Sequence, residues 1–162
     1  KNMMKIKIIT VGKLKEKYWK QAIDEYVKRL GAYCTIDIVE LADEKTPDKA
    51  SAKEDEHILA TEGERILGKI GHDDYVIALA IEGTLITSEA LASQLEKLSV
   101  HGTSKITFVI GGSLGLSPQV KQRANELISF GRITLPHQLA RVVLSEQIYR
   151  AYRIMNHQAY HK

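Results

Sequence analysis

The segment KITFVIGGSLGLSP, Lys105–Pro118, decides the fold class. Lys105–Ile110 is a mostly apolar run with the length and composition of a strand buried on both faces. Gly111-Gly112-Ser113-Leu114-Gly115 closes it. Ser117 then offers a capping hydroxyl and Pro118 a preset φ, so a helix is predicted from there to about Leu127. A buried strand that passes through a glycine turn into a helix is the unit of an alternating α/β chain.

The alternation extends in both directions. Upstream, Lys5–Val11 and Thr35–Leu41 alternate as strands, and Tyr75–Ile81 is a continuous apolar run, predicted as a strand covered on both faces. Lys15–Leu30 places Trp19, Ile23, Tyr26, Val27 and Leu30 at helical spacing, with Gly31 as a stop. Ala42–Glu56 is polar and highly charged, and predicts a mobile loop leading into a helix that ends near Gly68 or Gly71. Thr87–Leu98 predicts a helix capped by Thr87. Downstream, a short strand is predicted at Arg132–Leu135, then a long helix over His137–Met155 after Pro136. The order βαβαβαβαβα predicts an α/β fold, a mostly parallel sheet with helices on both faces. Ligands of such sheets bind at the carboxyl ends of the strands. The turns after Ile81, after Ile110 and around Phe130–Leu135 therefore form the expected crevice.

With 162 residues, 44% hydrophobic and 27% charged, the chain suits one compact domain over Met4–Lys162, with Lys1–Met3 read as residues ahead of a natural start. No apolar run reaches the eighteen or so residues of a membrane span. The charged run Lys13–Lys17 directly after the first strand argues against a signal peptide. The lone Cys34 has no partner for a disulfide and no metal-ligand neighbours, which points to a reducing cytoplasm and to no metal. Net charge is +3, yet Lys121–Lys162 holds seven Lys/Arg against two acids. That basic quarter reads either as a solvated face or as a surface for a polyanion.

Four segments carry chemistry. Gly111–Gly115 sits at a strand end before a helix and reads equally as a tight turn or as a place where a ligand approaches the backbone. It has no Lys or Arg and no Gly-Lys-Ser/Thr, which favours a ligand without phosphate. Glu82, at the end of LAIEG (Leu79–Gly83), is an acceptor for a ribose or else a solvated turn residue. His137, in the first turn after Pro136, is either a helix-start packing residue or a neutral imidazole able to act as a base or to orient one, because the positive helix end disfavours its protonation. The last helix and tail interleave Arg141, Arg150, Arg153, His157, His161 and Lys162 with Tyr149, Tyr152 and Tyr160. Cations beside aromatics suit phosphate contacts and base stacking. Equally, Arg150 is placed for a surface ion pair with Glu146, and the tail for fraying.

Together with VGKLKEKYW (Val11–Trp19), DEKTP (Asp43–Pro47), FVIGGSLGLS (Phe108–Ser117), FGRITLPHQLARVVLSEQIYRAYRI (Phe130–Ile154) and the terminal AYHK, these motifs span the chain from Met4. They resemble the small SPOUT-class methyltransferases that modify N3 of a pseudouridine in bacterial 23S ribosomal RNA. The resemblance implies a C-terminal trefoil knot whose loops hold S-adenosyl-L-methionine. It implies cofactor contacts from Leu79, Gly111, Phe130, Gly131, Arg132, Ile133, Thr134 and Leu135. It places functional roles on His137, Arg150, Tyr160 and His161. It implies a homodimer acting on ribosomal RNA in the ribosome, with no membrane partner.

A length argument bears on the dimer. A helix over His137–Met155 spans roughly 27 Å, and the tail to Tyr160 reaches at most about 17 Å. Tyr160 and His161 therefore cannot return to His137 of their own chain. Arg150 lies about 220° around the helix from His137. If all four serve one site, two chains supply them. Two readings of other classes compete: a non-catalytic ribosome-binding factor using the basic C-terminus, and a nucleotide enzyme with a Rossmann-like site. Indifference to S-adenosylmethionine would mark the first, and binding of NAD or ATP the second.

Overall fold

A computed structural model describes residues 3–161. Five strands and five helices alternate: β1 (Lys5–Val11), α1 (Lys17–Leu30), β2 (Thr35–Leu41), α2 (Ala52–Leu67), β3 (Tyr75–Leu85), α3 (Ser88–Val100), β4 (Lys105–Ile110), α4 (Pro118–Arg123), β5 (Glu126–Ser129) and α5 (His137–Met155). The strands form one sheet in the order β2-β1-β4-β3-β5, and every pairing is parallel. The α/β class with a parallel sheet is as expected.

The helices divide by direction of travel. The steps β1 to β2 and β3 to β4 run one way across the sheet, through α1 and α3, which share a core with α5 built on Ile6, Ile8, Leu95, Phe108, Leu144 and Ile148. The steps β2 to β3 and β4 to β5 run the other way, through α2 and α4, over a second core of Ile9, Val11, Ile66, Val109 and Val120. A single crossover hand requires this segregation. Both faces of β4, and of β1 from Ile8 onward, are therefore buried, which explains the near-continuous apolar sequence of β4. Because the chain leaves β4 toward one face and β3 toward the other, a crevice opens between their carboxyl ends.

Local chemistry sets the helix starts. Ser51 accepts the Glu54 N–H and Glu54 answers it, a reciprocal cap that begins α2 inside the charged stretch. Thr87 and Ser117 cap α3 and α4 through side-chain oxygens.

Three expectations fail. The helix from Pro118 ends at Arg123 rather than near Leu127, and Glu126–Ser129 is β5. Asn125 interrupts it: its side chain accepts the Val76 N–H at 2.8 Å and its backbone N–H donates to Val76 O. These bonds pull the chain into register beside β3. The expected strand Arg132–Leu135 is irregular loop, because Gly131 at φ 129° turns the chain away from the sheet. Finally, β3 is covered on both faces only through Ala78, and Ile81 is 69% exposed.

Candidate active site

The irregular end of β3 shapes the cleft. Its ladder with β5 pairs Leu79 with Ile128 and then Thr84 with the same Ile128, so Ala80–Gly83 stand out of the sheet. Gly83 makes this possible: a Cβ there would lie 2.7 Å from the backbone of Leu127 and Ile128. At the end of β4 the glycine turn closes on itself, with Gly115 N–H donating to Gly112 O at 3.0 Å. A Cβ on Gly111 would meet Gly115 O at 2.3 Å. Glycine is thus required by the turn itself, and the turn also faces the cleft. After β5, Ser129 Oγ accepts the Gly131 N–H and donates to Gly131 O, folding the third loop inward.

These three loops wall two adjoining hollows of about 210 and 560 Å³. Of the positions with expected cofactor roles, Leu79, Gly111, Phe130, Gly131, Ile133, Thr134 and Leu135 line the smaller one, and His137 lines both; Arg132 lines neither and is exposed. Among the described residues, no Lys or Arg lines the smaller hollow, and no backbone–backbone hydrogen bond engages residues 132–135. Apolar walls with free backbone groups fit a phosphate-free ligand such as S-adenosylmethionine, whose sulfonium is itself a cation. Glu82 lines the larger hollow and pairs with Lys121 at 2.6 Å, which holds its carboxyl below the usual range.

His137 opens α5 behind Pro136, and Arg141 lies one turn further on. Burial and the Arg141 charge hold the imidazole below its ordinary pKa, opposed by Asp43. The expected direction is found, but burial comes first among its causes. Arg141 is 2% exposed. It donates to Glu40 at 3.0 Å and to the carbonyls of Val11 and Gly12 at 2.8 Å each. It thus ties the ends of β1 and β2 to the start of α5. Glu62, also buried, accepts the Glu44 N–H at 2.8 Å and lies 3.2 Å from where a Gly112 Cβ would stand. It joins the charged 42–51 loop to the glycine turn, and burial pushes its carboxyl up. The sequence reading missed Glu40, Asp43, Glu62, Ser129 and the structural part of Arg141; only the DEKTP motif hinted that the charged loop belongs here.

The tail is ordered rather than frayed. Asn156 ends α5, His157 takes φ 53°, and the N–H groups of His157 and Gln158 return to Ile154 O and Arg153 O. This double bond pattern reverses the chain. Arg153 holds Ala159 O at 2.7 Å, and Tyr33 pairs with Gln158. Tyr160 then reaches Glu146 at 2.7 Å, under the Arg150 guanidinium at 4.7 Å. Arg150 donates to Glu146 at 2.8 Å and to His161 Nδ1 at 3.2 Å, and His161 Nε2 meets Glu89 at 2.5 Å. Burial raises the Glu146 carboxyl, but hydrogen bonds from Arg150 and Tyr160 outweigh it and hold it low. Arg150, Tyr160 and His161 therefore gather toward the carboxyl end of α5, and none of them lines either hollow beside His137. The tyrosines offered as stacking platforms are largely packed: Tyr149 and Tyr152 are buried, and Tyr33 stacks on Tyr152.

A parallel sheet with a ligand cleft between glycine-bearing loops at its carboxyl edge, followed by a long terminal helix, has a matching class. The chain belongs to the SPOUT methyltransferase family, described as "Predicted SPOUT methyltransferase", which matches residues 4–161. Membership implies the knotted fold expected from the motifs. The chain is 61% identical over 159 residues to the ribosomal RNA large subunit methyltransferase H of Streptococcus thermophilus and 62% identical to that of Bacillus pumilus, covering 98% of this chain and all of each relative. A probable methylase family protein from Haemophilus influenzae shares the fold at TM-score 0.53, with 16% identity over 97% of this chain and 70% of its own. Among the described residues, no group of His, Cys, Asp and Glu is placed to hold a metal, and no helix is long and apolar enough to cross a membrane.

Proposed function

We propose that this protein transfers a methyl group from S-adenosyl-L-methionine to N3 of a pseudouridine in large-subunit ribosomal RNA, in the cytoplasm, as a homodimer. The observation that carries the reading is the convergence of Leu79, Gly111 and the 130–135 loop on one apolar hollow beside His137 that no Lys or Arg among the described residues lines. The names of the relatives supply the substrate class.

The cofactor supplies a methyl group already activated on sulfur. The chain's work is to orient and to manage charge. Leu79, Phe130, Ile133 and Leu135 would hold the cofactor by apolar contact, and backbone groups at Gly111, Gly131 and Thr134 would orient it. An imide nitrogen between two carbonyls must lose its proton, and positive groups facing those oxygens stabilise the anion. Arg150, braced by Glu146 and Tyr160, is the group we assign to that task, on the partner's cleft. The separation of the Arg150–Tyr160–His161 cluster from His137 within one chain supports the shared site. So do Ile81, Leu85 and Ile133, large apolar side chains left exposed on the loops and strand end around the cleft.

Calorimetry should show S-adenosylmethionine binding and no binding of NAD or ATP. Mass mapping of ribosomal RNA should show one modification that disappears with the gene. Mixing a subunit truncated after Met155 with a cleft-defective full-length subunit should restore activity in heterodimers. Ribosome binding indifferent to S-adenosylmethionine would replace this reading with that of a non-catalytic factor.

A further inference from the structure

Guanidinium groups beside two histidines favour one ring nitrogen as the carrier of the proton. A guanidinium has five donors and no acceptor. Arg141 Nη2 lies 3.4 Å from His137 Nδ1, and Arg150 Nη1 lies 3.2 Å from His161 Nδ1. Arg141 Nη2 already serves the Val11 and Gly12 carbonyls, so its approach to His137 is a shared contact, but in both pairs the cation offers nothing that an Nδ1–H could donate to. Nδ1 is therefore bare, and the proton of a neutral ring sits on Nε2. His161 agrees, since its Nε2 faces a carboxylate, Glu89.

His137 has neighbours besides Arg141. Its ring packs against Gly12, whose Cβ position lies 3.6 Å from His137 Cε1, and Gly12 O is itself bonded to Arg141. The charged groups facing it are Arg141 on its own helix and Asp43 on the loop after β2. Burial and Arg141 keep the ring neutral near pH 7, so there is one proton to place. Among the described residues, the Arg141 contact is its one side-chain hydrogen bond, and Nε2 is not among the buried unpartnered atoms. Nε2 is therefore not sealed in the core, and the residue lines both hollows.

We infer that His137 acts in the reaction as an Nε2–H donor to an oxygen of the substrate rather than as its base, and that Arg141 is the positioning residue that sets this tautomer. The inference rests on the methyl-transfer reading above. The ligand chemistry it demands is an imide or related group with a carbonyl oxygen beside the reacting nitrogen. In the balanced step the N–H proton leaves to water and the nitrogen pair forms the N–CH₃ bond. The S–CH₃ pair returns to sulfur, leaving a neutral thioether. The charge that develops on the imide oxygen is met by His137 Nε2–H.

The test begins on ligand-free, full-length protein labelled with ¹⁵N-histidine. Long-range ¹H–¹⁵N correlation at pH 7.5, assigned with His137→Gln, should show a single His137 tautomer protonated at Nε2. Arg141→Met should turn that pattern into a mixture. A proton on Nδ1, or an unchanged pattern in Arg141→Met, overturns the inference. Should Arg141→Met fail to fold, His137→Gln and His137→Asn decide by single-turnover methylation. The Gln amide reaches the Nε2 position as a donor that cannot act as a base. It should keep the rate within about tenfold, while Asn loses roughly a hundredfold, as deletion of one oxyanion donor does. Equal loss in both overturns the donor role. Failure of the wild type to bind S-adenosylmethionine would end the methyltransferase reading instead, and leave the tautomer result intact.

Discussion

Both ends of α5 carry an arginine whose Nη–H rests on a histidine Nδ1, but the two arginines differ in what else they hold. Arg141, with a side chain 3% exposed, grips carbonyls 129 and 130 positions away in sequence and the carboxylate of Glu40. Arg150, at 24%, pairs with Glu146 one turn back on its own helix and with the tail. The first is committed to tertiary structure: its Nη2 hydrogens go to backbone carbonyls and Nη1 to Glu40, and its buried Nε finds no partner. The second stands in a local cluster that can meet another molecule. Burial and sequence separation, more than residue type, separate a strut from a site residue.

Breaking the strut should have the largest effect. Arg141→Met leaves two carbonyls and Glu40 without their donor, and removal of one partner of a buried pair costs about 3–5 kcal/mol; urea denaturation measures it. A loss below about 1 kcal/mol would erase the contrast between the two ends. Next comes Glu146→Gln, which weakens charge-assisted bonds to Arg150 and Tyr160 and should cost about 1–3 kcal/mol. It should leave S-adenosylmethionine affinity unchanged, as calorimetry will show.

Acid should sharpen the contrast at the amino end. The folded pKa of His137 lies below its unfolded value of about 6.5, so the unfolded chain binds the extra proton as pH drops past that value. Stability from this group is complete above about pH 6.5 and is lost below it. The urea midpoint should fall more between pH 7.5 and 5.5 in the wild type than in His137→Gln. Equal slopes would contradict the buried, neutral ring. The smallest stability change belongs to Arg150→Met, within about 1 kcal/mol as for other partly exposed pairs. Its single-turnover rate should nonetheless fall by roughly a hundredfold.

The sequence was most readable where one local rule acted alone. Hydrophobic period placed β1, β2, β4 and α5 at their observed bounds, and the Ser117-Pro118 and Thr87 caps placed two helix starts. Glu126-Leu-Ile-Ser129 could not be read as a strand, because four residues show no alternation and the pairing depends on Asn125 meeting Val76 from 49 positions away. Arg132–Leu135 looks more strand-like than β5, yet the positive φ of Gly131 denies it a neighbour. In the site, the three converging loops were legible because strand ends of a parallel sheet must share an edge. Arg141 was not, since a helix arginine is ordinarily solvated and nothing local marks this one as buried. The tail was misjudged because His157, a non-glycine residue, supplies the left-handed turn.

The Arg141 bridge also orders events during synthesis. The carbonyls of Val11 and Gly12 leave the ribosome long before the residue that will satisfy them, which follows 130 and 129 positions later. A nascent chain arrested before the last helix keeps the carboxyl end of its first strand unsealed. A product that stops short of Arg141 lacks the donor that joins the first two strands to the last helix.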